Sequence, residues 1–423
     1  MIRRSFFTLT KLRLDYDLVE PDTKEPESIP IPSNLILLLN EPIDSTKIAI
    51  IKTGDTVKKG EKLRLYNESY EYTISPVSGT ISEIDTYSDD FGNNSTYFII
   101  KNDLNQAGGA DTLKYDLKDG IASADEFLRT LPGAPPLKTL ASDDIKIKTI
   151  VINCGDTDLL STTSQYVTLN FLDEIKQGAK LLKKITNVPK LCITIPENLN
   201  IQGEFDSIQV FKTSMKYPSN LPAMVLKKHL NLVLPPGHTP EDLGVCFISA
   251  EAVASLAKAY KTKSPCFEKI LTIIDKQGTR YRVKATIGTS LQKIFKTFSI
   301  HVNEQDRIII GGPMKGFATY TPVHPVQPDM DTVIIQDRDV IPELSDTPCV
   351  NCGKCIRICP ANIPVNVLVR YLEADQYEEA ADRYDLESCI ECGLCAYVCT
   401  AKIPLFQYIR LGKHELLKLK ADV

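Results

Sequence analysis

The sequence lacks any long hydrophobic run. Its longest, Leu35–Leu39, falls far short of the roughly 20 apolar residues that a membrane-spanning helix needs. The first residues, Met1–Phe7, include Arg3 and Arg4 but no extended apolar core and no small-residue cleavage site, so we do not expect a secretion signal. The absence of both features predicts a protein that is soluble or only peripherally attached to a membrane.

A basic excess and a histidine cluster are also missing. The net charge of −5 argues against nucleic acid as a partner, because nucleic-acid-binding domains are strongly basic. The 5 histidines share no metal-ligand spacing, so we assign them no site. The length of 423 residues and the 43% hydrophobic and 24% charged content are those of an ordinary globular chain, with room for three or four domains.

The cysteines of the sequence follow an ordered pattern. Eight of the 12 cysteines form two runs of the spacing C-x2-C-x2-C-x3-C, which is typical of thiolates that hold [4Fe–4S] clusters. The first three cysteines of a run surround one cluster, and the fourth, followed by Pro360 in the first run, ligates the other cluster in two-cluster proteins. We therefore predict a crossed assignment, with one cluster held by Cys349, Cys352, Cys355 and Cys399 and the other by Cys389, Cys392, Cys395 and Cys359.

Two other uses of cysteine explain the pattern less well. Structural zinc takes four ligands per ion, commonly as two separated C-x2-C pairs, and leaves the x3 spacing and Pro360 unexplained. Disulfides suit secreted chains, whereas Cys154, Cys192, Cys246 and Cys266 are scattered. Iron–sulfur ligation explains the pattern best, and it favours a reducing cytoplasm.

The segment between the two runs is predicted to be helical. Val365, Leu368, Val369 and Leu372 recur at the spacing of one apolar helix face, and a second, acidic helix is expected from Glu373 to Arg383. The clusters would then lie in an all-helical ferredoxin-like module.

Charge is unevenly distributed near the C-terminus. Acidic residues dominate from 341 to 400, and basic residues dominate from 401 to 423. This pattern is compatible with a solvated helix face beside a basic tail. It is also compatible with an acidic docking face for a redox partner and a Lys413–Lys420 tail that meets a membrane surface or another subunit.

The chain before the cysteines reads as several domains. We predict an extended N-terminal arm (1–30) and a barrel-sandwich domain (31–105), in which the β-rich segments Lys47–Asp55 and Tyr72–Ile81 resemble biotinyl or lipoyl carriers. A carrier would present a modified lysine where Val77-Ser78-Gly79 stands, so this domain is expected to be structural.

A multidomain α/β architecture is predicted for the remainder. An α/β domain (122–262) contains strands at Lys146–Asn153, Leu191–Ile195 and Gly244–Ile248, which alternate with helices and so predict a mostly parallel sheet. A β-grasp (266–320) is expected to consist of two strands, a helix and a strand that ends at Gly311. The two-cluster module (340–408) and a basic tail (409–423) complete the chain.

This order of domains resembles the C subunit of the Rnf complex, the membrane-bound, ion-translocating ferredoxin:NAD oxidoreductase. The resemblance covers nearly the whole chain from Ile29 and is most specific in Gly311–Phe317 and Cys349–Tyr408. Lys216-Tyr217-Pro218 and Pro240–Val245 also match family landmarks. The resemblance implies a peripheral cytoplasmic subunit that relays electrons between a soluble donor and membrane subunits.

The resemblance also implies FMN and NADH sites, and here the sequence departs from the family. In relatives a loop G-x-G-G-A-G-F-P-T and an acidic E-C-E-P-like loop hold FMN and NADH. The matching stretches are Leu131–Leu137, with one glycine among three prolines, and Cys154–Asp158, without the proline. Because proline lacks an amide donor, we predict that the flavin and NADH site has been lost.

The function predicted from the sequence is single-electron relay through two [4Fe–4S] clusters in an Rnf-type oxidoreductase complex, at the inner face of the membrane. The donor would be a ferredoxin-like protein, NADH or a partner subunit. Two alternatives stay open. One is an FMN-containing NADH dehydrogenase or corrinoid reductase module, and the other is an assembly scaffold with structural clusters.

Overall fold

The computed structural model describes residues 12, 14–21, 23–89, 91–103, 113–117, 120–201, 205, 208–341 and 347–421. The chain divides into two units, which we name by their content. The sheet unit comprises Glu20–Met215 and Glu241–Arg338, and the cysteine unit comprises Met1–Val19, Lys216–Pro240 and Asp339–Val423. Of the predicted N-terminal arm, the part before Leu12 lies outside the described residues.

The strands of the described residues all lie in the sheet unit. They are β1 (Glu27–Ser28), β2 (Asn34–Leu39), β3 (Thr56–Val57), β4 (Lys62–Leu63), β5 (Thr73–Ile74), β6 (Gly79–Ser88), β7 (Asn94–Asn102), β8 (Thr149–Asn153), β9 (Lys190–Pro196), β10 (Gln209–Thr213), β11 (Val245–Ser249), β12 (Glu268–Ile274), β13 (Arg280–Thr286), β14 (Arg307–Ile310), β15 (Phe317–Thr319) and β16 (Thr332–Gln336).

The α-helices are divided between the units. They are α1 (Ile121–Leu128), α2 (Leu137–Ala141), α3 (Thr163–Asn170), α4 (Leu172–Thr186), α5 (Pro222–Val225), α6 (Ala250–Thr262), α7 (Leu291–Thr297), α8 (Lys354–Ile358), α9 (Val365–Leu372), α10 (Tyr377–Tyr384), α11 (Leu394–Tyr397) and α12 (Leu405–Ala421).

The predicted parallel sheet is confirmed. Strands β10, β9, β8 and β11 lie in that order, and each neighbouring pair is parallel. All three predicted strands are present within a few residues of their expected bounds. Helix α6 follows β11 directly because Ser249 caps it, its side chain accepting a hydrogen bond from the Ala252 amide. The carboxyl ends of these strands therefore lead into loops at one edge of the sheet.

A six-stranded mixed sheet follows the parallel one in sequence. Its order is β1, β13, β12, β16, β14, β15, and the predicted succession of two strands, a helix and a strand is present as β12, β13, α7 and β14. The end of the predicted arm contributes β1, which pairs in parallel with β13. Leu271, Ile273 and Val333 are completely buried beneath this sheet.

The first domain is an antiparallel sheet in the order β2, β7, β6, β3, with the separate pair β4 and β5. In β2 the alternate residues Leu35, Leu37 and Leu39 are buried, as the period of a strand requires. The prediction of a β-rich Lys47–Asp55 segment was wrong. It forms no strand, and Ile48 is 86% exposed.

The cysteine unit is helical where the structure describes it. Helix α9 buries Val365, Leu368, Val369 and Leu372, the face predicted from the apolar spacing. The second helix of the insert begins only at Tyr377, not at Glu373 as predicted, because Asp375 has a left-handed backbone (φ 54°) that ends one helix before the next begins.

The basic tail is the end of α12, a helix that packs against the rest of the cysteine unit. A side chain on Gly412 would meet Leu372 Cδ2 at 2.5 Å. Lys413 Nζ is 2.7 Å from Glu391 Oε1, and Lys420 Nζ is 2.6 Å from Glu387 Oε1. Two of the tail lysines thus pair with acidic residues of the 341–400 segment.

No helix in the described ranges is both long and apolar enough to cross a membrane.

A buried ionic group connects α6 to β12 and to the residue before β16. Lys269 on β12 is fully buried, and its Nζ contacts the carboxylate of Glu251 on α6 and lies 2.8 Å from Oδ1 of Asp331. Burial disfavours the charged lysine, but the two carboxylates outweigh it and raise the pKa of Lys269. The lysine therefore stays charged inside the protein, where removal of a partner is costly.

Lys269→Met is expected to lower the free energy of unfolding by about 3–5 kcal/mol, because it leaves the Glu251 carboxylate buried without its cation. The double variant Lys269→Met/Glu251→Leu removes both charges and should recover most of the loss. Urea unfolding followed by circular dichroism measures both. Equal losses in the single and double variants would contradict an ionic origin.

Candidate functional site

Four cysteines from both runs line one cavity of the cysteine unit. They are Cys349, Cys352, Cys355 and Cys399, which is the first group that the spacing predicts. Three come from the first run and one from the end of the second run. Apolar residues of α9 and α12, Val369 and Leu405, close the cavity from the interior.

The other four cysteines are grouped by their electrostatic coupling. Burial is the main cause that raises the pKa of Cys389 to about 11 and of Cys392 to about 12, and it also raises that of Cys395. Cys359 adds to the increase at all three thiols. Cys359 therefore lies near the second triad, although it belongs to the first run in sequence.

The two runs fold as a structural repeat. Gly353 and Gly393 both have left-handed backbone, with φ of 68° and 69°, and they precede α8 and α11. Left-handed backbone recurs at two further pairs of positions with the same offset as Cys349 and Cys389, namely Asn351 with Glu391 and Asn362 with Lys402. Each run therefore follows the same sequence of turns around its cysteines.

The first group of cysteines is the more exposed. Cys352 is exposed to solvent, whereas Cys392 and Cys395 are buried. The Cys352 sulfur and the Thr400 hydroxyl share a hydrogen bond of 3.5 Å, which is the main cause that lowers the pKa of this thiol. One cysteine group thus borders solvent while the other lies within the unit.

Two residues that sequence reasoning missed support the second loop. The Tyr217 hydroxyl donates a 2.7 Å hydrogen bond to the Cys392 carbonyl, and Lys413 Nζ donates one of 2.7 Å to the Cys389 carbonyl. Tyr217 belongs to a motif noted in the sequence, but its distance along the chain from Cys392 gave no sign of contact. These bonds fix the backbone that presents two of the thiols.

The two cysteine groups suit a metal cluster better than a single metal ion. Within the described ranges, no three Cys, His, Asp or Glu side chains are close enough to hold a single metal ion. The thiolates around a [4Fe–4S] cube each bind a different iron atom, so they stand farther apart than the ligands of one ion. With four cysteines lining one cavity and four more grouped nearby, the residues fit two such clusters.

The sheet unit contains a second candidate site, a cavity of about 670 Å³. Both loops that the sequence matched to flavin- and NADH-binding segments reach it, through Ala134 of the proline-rich loop and through Thr157 and Asp158 of the acidic loop. The Gly311-Gly312 turn after β14 also lines it. The predicted loops are therefore brought together.

The turn that begins at Gly311 binds the carboxylate of Asp158 through its backbone amides. Asp158 Oδ1 accepts from the Met314 amide at 3.1 Å, and Oδ2 accepts from the Lys315 amide at 2.8 Å. A side chain on Gly312 would lie 2.3 Å from Asp158 Cγ, so glycine is needed there. Burial raises the pKa of Asp158, and these backbone hydrogen bonds oppose the increase.

The proline-rich loop offers no amide to a ligand. Its four non-proline amides donate to protein carbonyls, those of Leu128, Pro328, Leu131 and Pro135. At Gly133 (φ 84°) a side chain would meet the Ala252 amide at 2.3 Å, which shows how closely this loop packs on the start of α6.

The charges that line the cavity are mostly negative. Glu71, Asp89, Asp158, Asp329 and Asp331 outnumber the basic lining residues. Of these, Arg129 pairs with Asp125 at 2.8 Å and approaches Glu71 at 3.8 Å. Burial lowers the pKa of His324, also in the lining, to about 4, so it adds no charge at neutral pH. This lining does not fit the phosphate of a flavin nucleotide.

Two segments of the chain match known protein families. Residues 20–105 match the family "RnfC Barrel sandwich hybrid domain" and residues 348–403 match the "4Fe-4S dicluster domain". The second match covers all eight cysteines of the two runs and supports their use as iron–sulfur ligands.

Relatives match over most of the chain. The C subunit of an ion-translocating oxidoreductase complex from Vibrio cholerae is 27% identical over 83% of this chain and 48% of its own length. The C subunit of a proton-translocating ferredoxin:NAD(+) oxidoreductase complex from Clostridium ljungdahlii is 25% identical over 92% of this chain and 89% of its own. The chain thus spans about half the length of the Vibrio relative.

Among solved structures, an NAD+-reducing [NiFe]-hydrogenase in the H2-reduced state aligns with a TM-score of 0.41 and 12% identity, over 67% of this chain and 60% of the hydrogenase chain. By the sequence relatives, the barrel-sandwich match and its ordered cysteines, the chain is similar to RnfC-type C subunits over most of its length, and residues 348–403 match the 4Fe-4S dicluster domain.

Proposed function

We propose that this RnfC-like chain relays single electrons as a peripheral subunit of an Rnf-type oxidoreductase complex. The observation that carries the proposal is the grouping of eight cysteines into two sets of four, within the segment that matches the dicluster family. The chain is expected to act as one subunit of an oxidoreductase.

The ligand sets that we propose are crossed. Cys349, Cys352, Cys355 and Cys399 line one cavity, and coupling of Cys359 to Cys389, Cys392 and Cys395 supports the second set. When bound, [4Fe–4S] clusters supply reversible one-electron transfer. The chain's own residues hold the loops in place through Tyr217 and Lys413, and they bury one set more deeply than the other.

A hydride donor does not fit this relay. Transfer of a hydride into single-electron carriers requires a flavin or a similar cofactor, and the sheet-unit cavity has an acidic lining, an occupied anion turn and a loop without available amides. We therefore infer that electrons enter one at a time, from a ferredoxin-like protein or from a partner subunit.

The finer division of the chain belongs to the same proposal. The antiparallel sheet of 31–105 supports a lipoyl-like barrel sandwich, and the parallel sheet of 122–262 supports a domain like the flavin subunit of complex I. The strand and helix order of 266–320 supports a β-grasp of the SLBB type. The helices of 340–408 form the cluster module, which α12 extends through 409–421.

The names of the relatives support a proposal about the assembly. The Clostridium ljungdahlii relative is named as part of a proton-translocating complex that joins ferredoxin and NAD(+). We propose that this chain likewise binds membrane and peripheral subunits of an Rnf-type complex, at the inner face of the cell membrane.

Crossed ligation predicts which pairs of cysteine substitutions act on the same cluster. Cys359→Ser/Cys392→Ser should remove a single cluster and leave about four irons, whereas Cys359→Ser/Cys352→Ser should remove both. Anaerobic reconstitution with iron and sulfide analysis measures this. The reverse result, with four irons retained only in the second variant, would show that each run holds its own cluster.

The cavity chemistry predicts that FMN is not retained. After incubation with excess FMN and desalting, the reconstituted protein should hold far less than one flavin per chain, because no backbone amide of Leu131–Leu137 is available to a phosphate. Flavin absorbance after acid release measures the content. One flavin per chain would overturn the inference and favour the dehydrogenase alternative.

Electron entry separates the proposed function from its alternatives. Reduced ferredoxin should bleach the visible absorbance of the reconstituted protein, whereas NADH alone should leave it unchanged, because no flavin is bound to accept hydride. Stopped-flow absorbance under anaerobic conditions measures both. Rapid bleaching by NADH would favour a dehydrogenase, and clusters that resist even dithionite would favour a scaffold.

A further inference from the structure

The described segments that line the exposed cysteine group contain charged residues of one sign. Three segments surround the first cavity, 347–358, 364–370 and 399–405. They contain Lys354, Arg357, Arg370 and Lys402 and not one acidic residue. The chain as a whole has a net charge of −5, so this local basic character is opposite to the average. We call these four residues the basic rim.

The rim residues lie beside the cavity by sequence and by contact. Lys354 lies between the lining residues Gly353 and Cys355. Arg370 Nη2 donates a 2.8 Å hydrogen bond to Oδ1 of Asn351, in the loop between Cys349 and Cys352. Lys402 lies between two residues that line the cavity. The positive charge therefore borders the cysteines themselves.

The rim residues form no ion pair within the described part of the chain. There, no carboxylate pairs with Lys354, Arg357, Arg370 or Lys402. Near the second cysteine group, by contrast, Glu387 and Glu391 are paired with lysines of α12. The two cysteine groups therefore differ in the ion pairs of the charged residues beside them.

The same region exposes apolar surface and a ligand atom. Val350, between the first two cysteines, is 62% exposed, and Cys352 is exposed. Electron-transfer complexes are small and short-lived contacts, and an apolar centre with a charged border suits such a contact. Complementary charge speeds the encounter of such partners.

We propose that the basic rim is the docking surface for an acidic one-electron carrier protein, which exchanges electrons with the chain at the Cys349–Cys352–Cys355–Cys399 group. The inference rests on the proposed relay function, and it adds the place of exchange and the charge of the partner. In the exchange one electron passes between two proteins, and no bond forms or breaks.

Two other roles for the rim make different predictions. Positive charge close to a cluster raises its reduction potential, and a basic surface can also bind anionic lipid. The exposed Val350 and Cys352 at the centre of the rim favour a protein partner. Electron exchange with a protein requires an accessible redox centre, whereas binding of a lipid headgroup does not. Both other roles are outcomes of the test.

The test uses the full reconstituted chain and a small, strongly acidic two-[4Fe–4S] ferredoxin as the probe. The variant Lys354→Glu/Lys402→Glu reverses two rim charges that make no ion pair among the described residues. Its matched control, Lys52→Glu/Lys296→Glu, makes the same change of net charge on exposed positions of the sheet unit. Iron content and reduction by dithionite first verify that each protein retains reducible clusters.

The rim variant should lose at least about tenfold in the second-order rate of reduction by the ferredoxin, and a similar factor in affinity by calorimetry, at low ionic strength. The difference should disappear at high salt, because screening removes the attraction. The control should behave like the unaltered chain. If the reversal reduces iron content, Lys354→Gln/Lys402→Gln, which adds no repulsive charge, is compared in the same salt series.

Several results would overturn the proposal. One is a rim variant with unchanged affinity and a shifted midpoint potential, which would make the rim a tuning element. Another is loss of binding to anionic phospholipid vesicles with unchanged ferredoxin kinetics, which would make it a lipid contact. Equal behaviour of the rim and control variants, in proteins that dithionite reduces, would refute docking here. Failure of dithionite reduction in the unaltered chain would instead refute the relay function.

Discussion

The cysteine unit depends on one constraint, that the last cysteine of each run lies with the first three of the other. Cys399 lines the cavity of the first triad, and Cys359 is coupled to the second. Neither group can form unless both runs, and the helices α9 and α10 between them, are folded. The proposed crossed ligation would therefore make folding and cluster assembly interdependent, as in other small domains whose ligands come from distant segments.

This constraint explains features that look unrelated in the sequence. The left-handed glycines Gly353 and Gly393 turn each run into a short helix, and the apolar face of α9 forms the core against which α12 packs. Glu391 is placed so that Lys413 can pair with it while also reaching the Cys389 carbonyl. The tail is thus a structural part of the cysteine unit.

In the sheet unit, the corresponding constraint is the contact between the Asp158 carboxylate and a glycine-rich turn. Asp158 takes two amides of the glycine turn after β14, the kind of donor group that binds phosphate in nucleotide sites. An internal carboxylate needs no ligand to satisfy these donors, so the turn is complete without one. The amides of this turn are therefore used by the protein's own carboxylate.

Much of this could be predicted because the signals are local. The cysteine spacing, the face of α9 and the strand Leu191–Ile195 each depend on residues close in sequence, and the structure has the helix face and the strand where expected. The errors and omissions are of another kind. Lys47–Asp55 has strand composition but forms no strand, and Tyr217 and Asp158 act on residues far along the chain, which no local pattern reveals.

The distribution of charge could also be predicted only in part, because ion pairs between residues far apart in sequence form only in the fold. The sequence average, and even the acidic segment before α12, suggested a negative surface, but the acidic residues Glu387 and Glu391 are paired with lysines that follow them by more than twenty positions. Folding also brings Lys354, Arg370 and Lys402, which form no ion pair among the described residues, to the border of one exposed cysteine group. Because an encounter between proteins depends on the local field at the contact and falls off within about 10 Å in salt, this local sign, and not the net charge of the chain, decides which partner the exposed cysteines attract.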